Sequence, residues 1–152
     1  MISRILVLLL IAFPATAARA TEITRVWTEW RDAGSFVRLS ELVDGKENPG
    51  SEIYLRSQPD SRDGFYFLVR LADATPIDGT FEARVIMPGK MKPVSYKFPA
   101  SVKGGSSVYQ IGLTGSDWPD RKVKPVAWRI SLLDSSGKEI VAKESFLWSP
   151  PK

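Results

Sequence analysis

The chain has 152 residues, a formal net charge of +4, five tryptophans, and neither histidine nor cysteine. Without these two residue types the protein has no Ser-His-Asp or Cys-His catalytic group, no thiolate metal site and no disulfide. Carboxylates, lysine, tyrosine and serine remain for catalysis, but these residues occur on every protein surface. Composition therefore favours a protein that is not an enzyme, and it predicts no cofactor and no resident metal.

The first twenty residues have the pattern of a secretory signal peptide. A cation at Arg4 precedes an apolar run over residues 5–13, and Ala18 and Ala20 supply the small residues that flank a cleavage site. The run is shorter than the roughly 20 residues that a membrane-spanning helix needs. We expect residues 1–20 to be removed, and the mature protein to be periplasmic or secreted without a transmembrane anchor.

Removal of the signal peptide changes the charge balance of the chain. Because Arg4 and Arg19 leave with it, Lys and Arg fall from 21 to 19 against 17 acids, which leaves a net charge of +2. So small a charge offers little attraction for nucleic acid, and no nucleic-acid partner is expected. Residues 21–148 have the length of one domain, and residues 149–152 are predicted to be a loose tail.

Short alternating runs of Val, Ile, Phe, Tyr and Trp predict strands through most of the mature chain. Residues 35–43 are an exception, since Phe36, Leu39, Leu42 and Val43 fit a helical stripe while residues 36–39 could equally form a short strand. We expect a single helical turn or an irregular bridge there. Residues 65–72 are apolar on both faces, which is typical of a strand in the middle of a sheet. The turn at residues 134–137 joins the last two strands in a hairpin. The predicted strands are residues 22–31, 52–56, 65–72, 80–87, 94–98, 108–113, 126–133 and 140–147.

This series of strands predicts an all-β fold, a single-domain antiparallel β-sandwich of about seven to nine strands. The pattern is similar to that of immunoglobulin and fibronectin type III domains. The resemblance implies an architecture only, because the paired cysteines of antibody domains are missing.

The tryptophans supply the candidate ligand-binding residues. Trp118 lies in a polar loop and is the best candidate for an exposed ring, with Trp27 or Tyr109 completing an aromatic platform. Even for Trp118 the sequence favours an apolar anchor for its loop over an exposed ring. Trp128 and Trp148 alternate with apolar residues and are expected in the core.

The first strand places its two tryptophans on opposite faces. Strict alternation puts Val26 and Trp30 on one side and Ile23 and Trp27 on the other. At most one of the two tryptophans therefore belongs to the core.

Acidic residues flank two of the loops. Asp60 and Asp63 form one pair, and Asp117 and Asp120 form another. Either pair could contribute to a calcium site, but aspartates in such places more often accept hydrogen bonds from the backbone of their own turn.

Cations are scattered along the chain. Arg129, in the middle of a strand, is expected to face outward with a cross-strand partner such as Glu144. Two groups of cations would form a patch for anionic polysaccharide or lipid headgroups if the fold placed them at one end; otherwise they protect strand edges from aggregation. These are Lys90, Lys92, Lys97 and Lys103 in one group, and Arg121, Lys122 and Lys124 in the other.

The sequence favours an exported, non-enzymatic module that binds another macromolecule, with a protein as the expected partner. One alternative is a carbohydrate-binding module that uses the aromatic platform, with a polysaccharide as ligand. A small hydrolase that depends on two carboxylates is a third reading, and its candidate acids are Glu29, Glu41 and Glu144.

Overall fold

The computed structural model describes residues 20–149. The predicted signal peptide, apart from Ala20, and the predicted tail, apart from Ser149, lie outside the described residues. Within residues 20–149 the chain forms eight strands and one α-helical turn, α1, at Glu41–Asp44. The strands are β1 Glu22–Arg31, β2 Ile53–Arg56, β3 Gly64–Ala74, β4 Ile77–Ile86, β5 Val94–Val102, β6 Gly105–Thr114, β7 Ala127–Leu133 and β8 Glu139–Glu144.

The strands form two four-stranded sheets that pack face to face. Sheet A has the order β1-β3-β6-β2, and sheet B has the order β5-β4-β7-β8. Every neighbouring pair is antiparallel except β2 and β6, which are parallel. The all-β sandwich expected from the sequence is thus confirmed.

The strand order has an immunoglobulin-like framework. If β1, β3, β4, β6, β7 and β8 are labelled A, B, C, E, F and G, the sheets contain the orders A-B-E and C-F-G, and β5 occupies the C′ position beside C. β2 departs from this framework. It occupies the edge beside E, where D lies in constant-type domains, but it precedes B in the chain and runs parallel to E.

The core lies between the inner faces of the two sheets. The ring of Phe81 in β4 and that of Tyr109 in β6 meet there, with centroids 4.9 Å apart. Such burial of apolar surface is the main source of stability in a domain without disulfides. Fully buried side chains of the core include Phe67, Val69, Leu71, Phe81, Tyr109, Ile111, Leu113, Ile130 and Leu132.

A β-bulge interrupts the strict alternation predicted for β1. The register with β3 shifts between Ile23 and Arg25, so one extra residue enters the strand. As a result Ile23 is buried on the same side as Val26 and Trp30, whereas strict alternation placed it with Trp27. The prediction for Ile23 was wrong because a bulge reverses the facing of every residue beyond it.

Two other predictions are refined by the structure. Residues 65–72 belong to β3, which lies inside sheet A as expected, but its outer face is buried at Tyr66 and exposed at Arg70. The last strand ends at Glu144, so Phe146, predicted to lie in it, is outside the sheet and exposed.

The segment between β1 and β2 contains two short helical turns, a 3-10 turn at Ala33–Phe36 and α1. This agrees with the single turn or irregular bridge predicted for residues 35–43. Phe36 is buried, but the other apolar residues of the predicted stripe, Leu39, Leu42 and Val43, are exposed.

Candidate functional site

The outer face of sheet A is divided into a covered part and an open part. The β1–β2 connection, residues 32–52, crosses the covered part and is anchored by Phe36. The Phe36 ring packs edge-on against Tyr54 with centroids 5.3 Å apart, and it lies tilted against the Tyr66 ring at 5.0 Å. The guanidinium of Arg31 lies 3.9 Å from the centroid of the same ring. One buried aromatic residue thus fixes the connection to the sheet.

Ion pairs reinforce this attachment. Arg56 donates two hydrogen bonds to the carboxylate of Glu47, at 2.8 and 2.7 Å, and a third to the hydroxyl of Tyr66 at 2.9 Å. The hydrogen bond from Arg56 lowers the pKa of Glu47, and burial raises the pKa of Tyr66. Arg62 pairs with Glu41 of α1 at 2.6 Å. These groups hold the connection in place.

The open part of the face is a groove of about 620 Å³, which we call the outer groove. Trp27 and Glu29 of β1 border one side, and Glu52 and Ile53 border the other. Between them lie outward-facing residues of the central strands, Leu68, Arg70, Val108 and Gln110. The volume is in the range of sites that hold a small molecule or a short segment of a larger one.

Two arginines lie against Trp27 at the border of the groove. The guanidinium carbons of Arg25 and Arg70 are 4.6 and 5.2 Å from the centroid of its ring. Such contacts between a cation and an aromatic ring are attractive. They also occupy ring surface that a stacked sugar would need.

A polar network closes the opposite side of the groove. The buried side chain of Gln110 donates to Glu52 at 3.0 Å and accepts a hydrogen bond from Arg31. Glu52 also accepts a hydrogen bond from the Tyr54 hydroxyl and lies 3.8 Å from Arg38. Burial, together with the hydrogen bond to Glu52, raises the pKa of Tyr54. Glu52 is therefore engaged within the protein on several sides.

Exposed apolar side chains lie in the same covering connection. Leu39 is 85% exposed and Val43 is 89% exposed, and Val37 and Leu42 are exposed as well. We call residues 37–43 the apolar segment. Arg38 within it pairs with Glu52 at the groove, so the apolar segment and the outer groove are neighbours on one face.

The predicted aromatic platform is not present on the surface. Trp118 is only 3% exposed: its ring stacks on Phe65 with centroids 4.5 Å apart, and its indole N–H donates to the carbonyl of Val123 at 3.3 Å. Tyr109 is fully buried in the core. Trp118 thus anchors its loop, which is the reading that the sequence favoured over exposure. The aromatic platform that Trp118 and Tyr109 were to form is wrong, because Tyr109 follows the inward alternation of β6.

Trp27 remains as the aromatic residue of the groove. Trp30 packs against the core while Trp27 faces outward, as the opposite placement of the two rings predicted. Trp128 packs against Phe67 at the border of the core, with centroids 5.8 Å apart. Trp148 is half-buried beside Arg84 and does not belong to the core cluster, so its expected core position was wrong.

The charged residues were partly predictable. Arg129 pairs with Glu144 at 3.4 Å, as expected, and with Glu139 at 2.6 Å. In the part of the chain that the structure describes, no group of three or more acidic residues is placed to hold a metal ion. Asp120 accepts a hydrogen bond from the backbone N–H of Lys122 at 2.7 Å. This is the bond within a turn that the sequence analysis gave as the alternative to calcium binding.

The groove itself was missed from the sequence. Its central residues, Leu68, Arg70, Val108 and Gln110, occupy the outward positions of their strands, which alternation alone identifies. Nothing local to the sequence indicates that β3 and β6 are neighbours and lie between β1 and β2.

No family model matches this chain, and no curated protein matches it. Among solved structures it is similar to an immunoglobulin-like protein from Pseudomonas aeruginosa, at 12% identity over 84% of this chain and 96% of that one, with a TM-score of 0.33. Across residues 20–149, no helix has the length and apolar character needed to cross a membrane.

Proposed function

We propose that this chain is an exported, non-catalytic module that binds a protein partner through the outer face of sheet A. The observation that carries the proposal is the apolar segment beside the outer groove. Export is supported by the signal-like pattern of residues 1–20.

The chemistry of this face fits a polypeptide. Leu39, Leu42 and Val43 present apolar surface that a partner would remove from water, and contiguous surface of this kind is typical of interaction sites. Trp27 and Arg70 in the adjoining groove are of the residue types that contribute most to protein interfaces. The groove border carries both signs of charge, which suits a partner with mixed side chains.

A carbohydrate ligand is less well supported. A sugar-binding platform uses exposed aromatic faces, but Trp118 and Tyr109 are buried and the Trp27 ring is in contact with two guanidinium groups. A polysaccharide ligand is therefore an outcome that the experiment below must separate from a protein.

The non-catalytic part of the proposal rests on composition and on the groove. The chain has neither histidine nor cysteine. Of the acids bordering the groove, Glu52 is already engaged by Tyr54, Gln110 and Arg38. This arrangement suits a binding surface better than a carboxylate pair in which one member must donate a proton.

Site-specific crosslinking tests the proposal in living cells of the source organism. A photo-crosslinking benzoylphenylalanine is introduced at position 106 in the groove or at position 39 in the apolar segment, with position 97 on β5 of sheet B as the control. We expect one protein adduct from the first two positions and none from the third. Glycan adducts, or the same protein from all three positions, would overturn the proposal.

The partner identified in this way is then purified and its affinity measured by calorimetry. The double variant Leu39→Ser, Val43→Ser should weaken binding by roughly tenfold or more, because about 1–2 kcal/mol per buried side chain is lost. Ile140→Ser changes an exposed apolar residue on β8 of sheet B and should leave the affinity unchanged. If the parent, the double variant and Ile140→Ser all bind with equal affinity, the partner does not bind through the apolar segment.

A further inference from the structure

Three loops meet at one end of sheet B. β4 ends there, β5 and β7 begin there, and β8 ends there, so residues 87–93, 115–126 and 145–149 lie along the same end. Two backbone hydrogen bonds join them to the sheet: Val126 N–H donates to Ile86 at 2.8 Å, and Ser145 N–H donates to Trp128 at 2.9 Å. Four strands at a spacing of about 4.8 Å place the strand ends from which these segments leave within roughly 15 Å of one another.

This end carries apolar side chains that no described residue covers. Met91 is 96% exposed and Phe146 is 88% exposed. Leu147, next to Phe146 in the chain, and Val126, just before β7, are exposed as well. The residues come from three different loops, so their convergence is a product of the fold. Large apolar groups gathered at one end mark an interaction surface.

Cations accompany these apolar groups. Lys90 and Lys92 flank Met91 directly, and the loop before β7 adds three more exposed cations. The acids of the same loops are Asp117, which is partly buried, and Asp120, which is engaged with its own turn. The cations of the three loops are Lys90, Lys92, Arg121, Lys122 and Lys124. Lys97 lies within β5, and Lys103 follows the other end of that strand. Only part of the basic patch considered in the sequence analysis is therefore present at this end.

We propose that this basic apolar end docks on the surface of an anionic lipid bilayer. Phe146, Leu147 and Met91 would enter the boundary between headgroups and acyl chains, while Lys90 and Lys92 contact anionic headgroups. An anionic lipid surface satisfies charge complementarity and apolar insertion together. An anionic polysaccharide would neutralise the lysines but would leave Phe146 and Met91 in water.

Docking by this end leaves the outer groove uncovered, because the groove lies on the other sheet. The module could therefore hold a protein partner while it rests on a membrane. The two proposals depend on different residues, and either can fail without the other.

Vesicle sedimentation tests the docking. The protein is isolated after export from a bacterial host, with its N-terminus established by mass spectrometry, and mixed with vesicles of phosphatidylglycerol and phosphatidylcholine in equal parts or of phosphatidylcholine alone. Binding is expected to the anionic vesicles and should weaken as salt is added. The double variant Lys90→Gln, Lys92→Gln should lose roughly 30-fold in affinity, at about fivefold per cation.

A second pair of variants separates lipid docking from simple charge attraction. Met91→Ser, Phe146→Ser should lose roughly tenfold or more in affinity for anionic vesicles, because its apolar groups no longer enter the bilayer. The control Lys103→Gln, Lys138→Gln, in turns at the opposite end of the sandwich, should bind like the parent. Absence of binding, or equal losses in the control, would overturn the proposal, as would an apolar variant that binds unchanged.

The absence of cysteine permits a direct test of insertion. Met91→Cys provides a unique site for an environment-sensitive dye, and Lys138→Cys provides the matched control. We expect a blue shift of the dye at position 91, and no shift at position 138, when anionic vesicles are added. Equal shifts at both positions, or none at position 91, would contradict docking through this end.

Discussion

Arg56 is a largely buried cation whose environment decides how the β1–β2 connection is held. Its side chain is 8% exposed, and it meets Glu47 in a bidentate pair with a further hydrogen bond to Tyr66. Burial acts to lower the pKa of Arg56, but the hydrogen bonds to Glu47 and Tyr66 outweigh it and raise that pKa. A buried cation of this kind depends on its partner, because loss of the partner leaves an uncompensated charge.

Glu47→Gln should therefore reduce the free energy of unfolding by about 1–3 kcal/mol at neutral pH. The pKa of Glu47 is lowered from 4.5 by folding, so its contribution is present above that value and is lost as the pH falls through the lower folded-state pKa. Urea denaturation across this range should show the two proteins converging in acid. Glu22→Gln, on the exposed part of β1, serves as the control and should cost little. A difference that is independent of pH would contradict the role assigned to Glu47.

At the scale of the elements, the pairing of β3 with β6 depends on one small residue. Tyr66 pairs directly with Gly112, and a Cβ at position 112 would lie 2.5 Å from Cε1 of the Tyr66 ring. The ring therefore lies over the glycine and is itself covered by Phe36. Gly112, Tyr66 and Phe36 form a stack that links sheet A to the connection above it.

Gly112→Ala should lower the free energy of unfolding by about 1–3 kcal/mol, because the methyl group displaces the Tyr66 ring. In a Tyr66→Leu background the same substitution should cost less, since the ring atoms nearest to the new Cβ are gone. Denaturation of the four proteins of this double-mutant cycle measures the coupling. Additive effects would show that the ring and the glycine do not constrain each other.

At the scale of the whole molecule, stability is distributed unevenly over the sandwich. β3 and β6 lie inside sheet A, and β4 and β7 lie inside sheet B, so each is hydrogen-bonded on both sides. The β1–β2 connection is instead held by Phe36 and a few ion pairs, and its apolar segment is exposed. Binding surfaces are commonly drawn from such less stable parts of a fold.

Amide hydrogen exchange should resolve this difference. We expect the amides of β3, β4, β6 and β7 to exchange slowest, at rates that approach global unfolding, and those of residues 37–51 to exchange first. Addition of the protein partner should slow exchange in residues 37–51 selectively. If all amides exchange at similar rates, with or without the partner, stability is not distributed unevenly over the sandwich.

Much of the fold was predictable because alternation along a strand is a local property. The spacing of Phe81, Ala83 and Val85 was enough to predict the inner face of β4, and all three are buried. The hairpin at residues 134–137 was predictable because Gly137 permits the positive φ of 84° that the turn requires. The bulge near Ile23 was not predictable, since it appears only in the pairing with β3.

The sequence by itself determined the class of the fold, the position of most strands and most of the residues that face inward, because these depend on neighbours within a few positions. Only the tertiary structure decided that β1, β3, β6 and β2 lie side by side, which creates the outer groove. It also decided that Trp118 is buried and that Met91 and Phe146 lie at the same end. The physical reason is that strand order and loop packing join residues far apart in the chain, and no local periodicity records which of them meet.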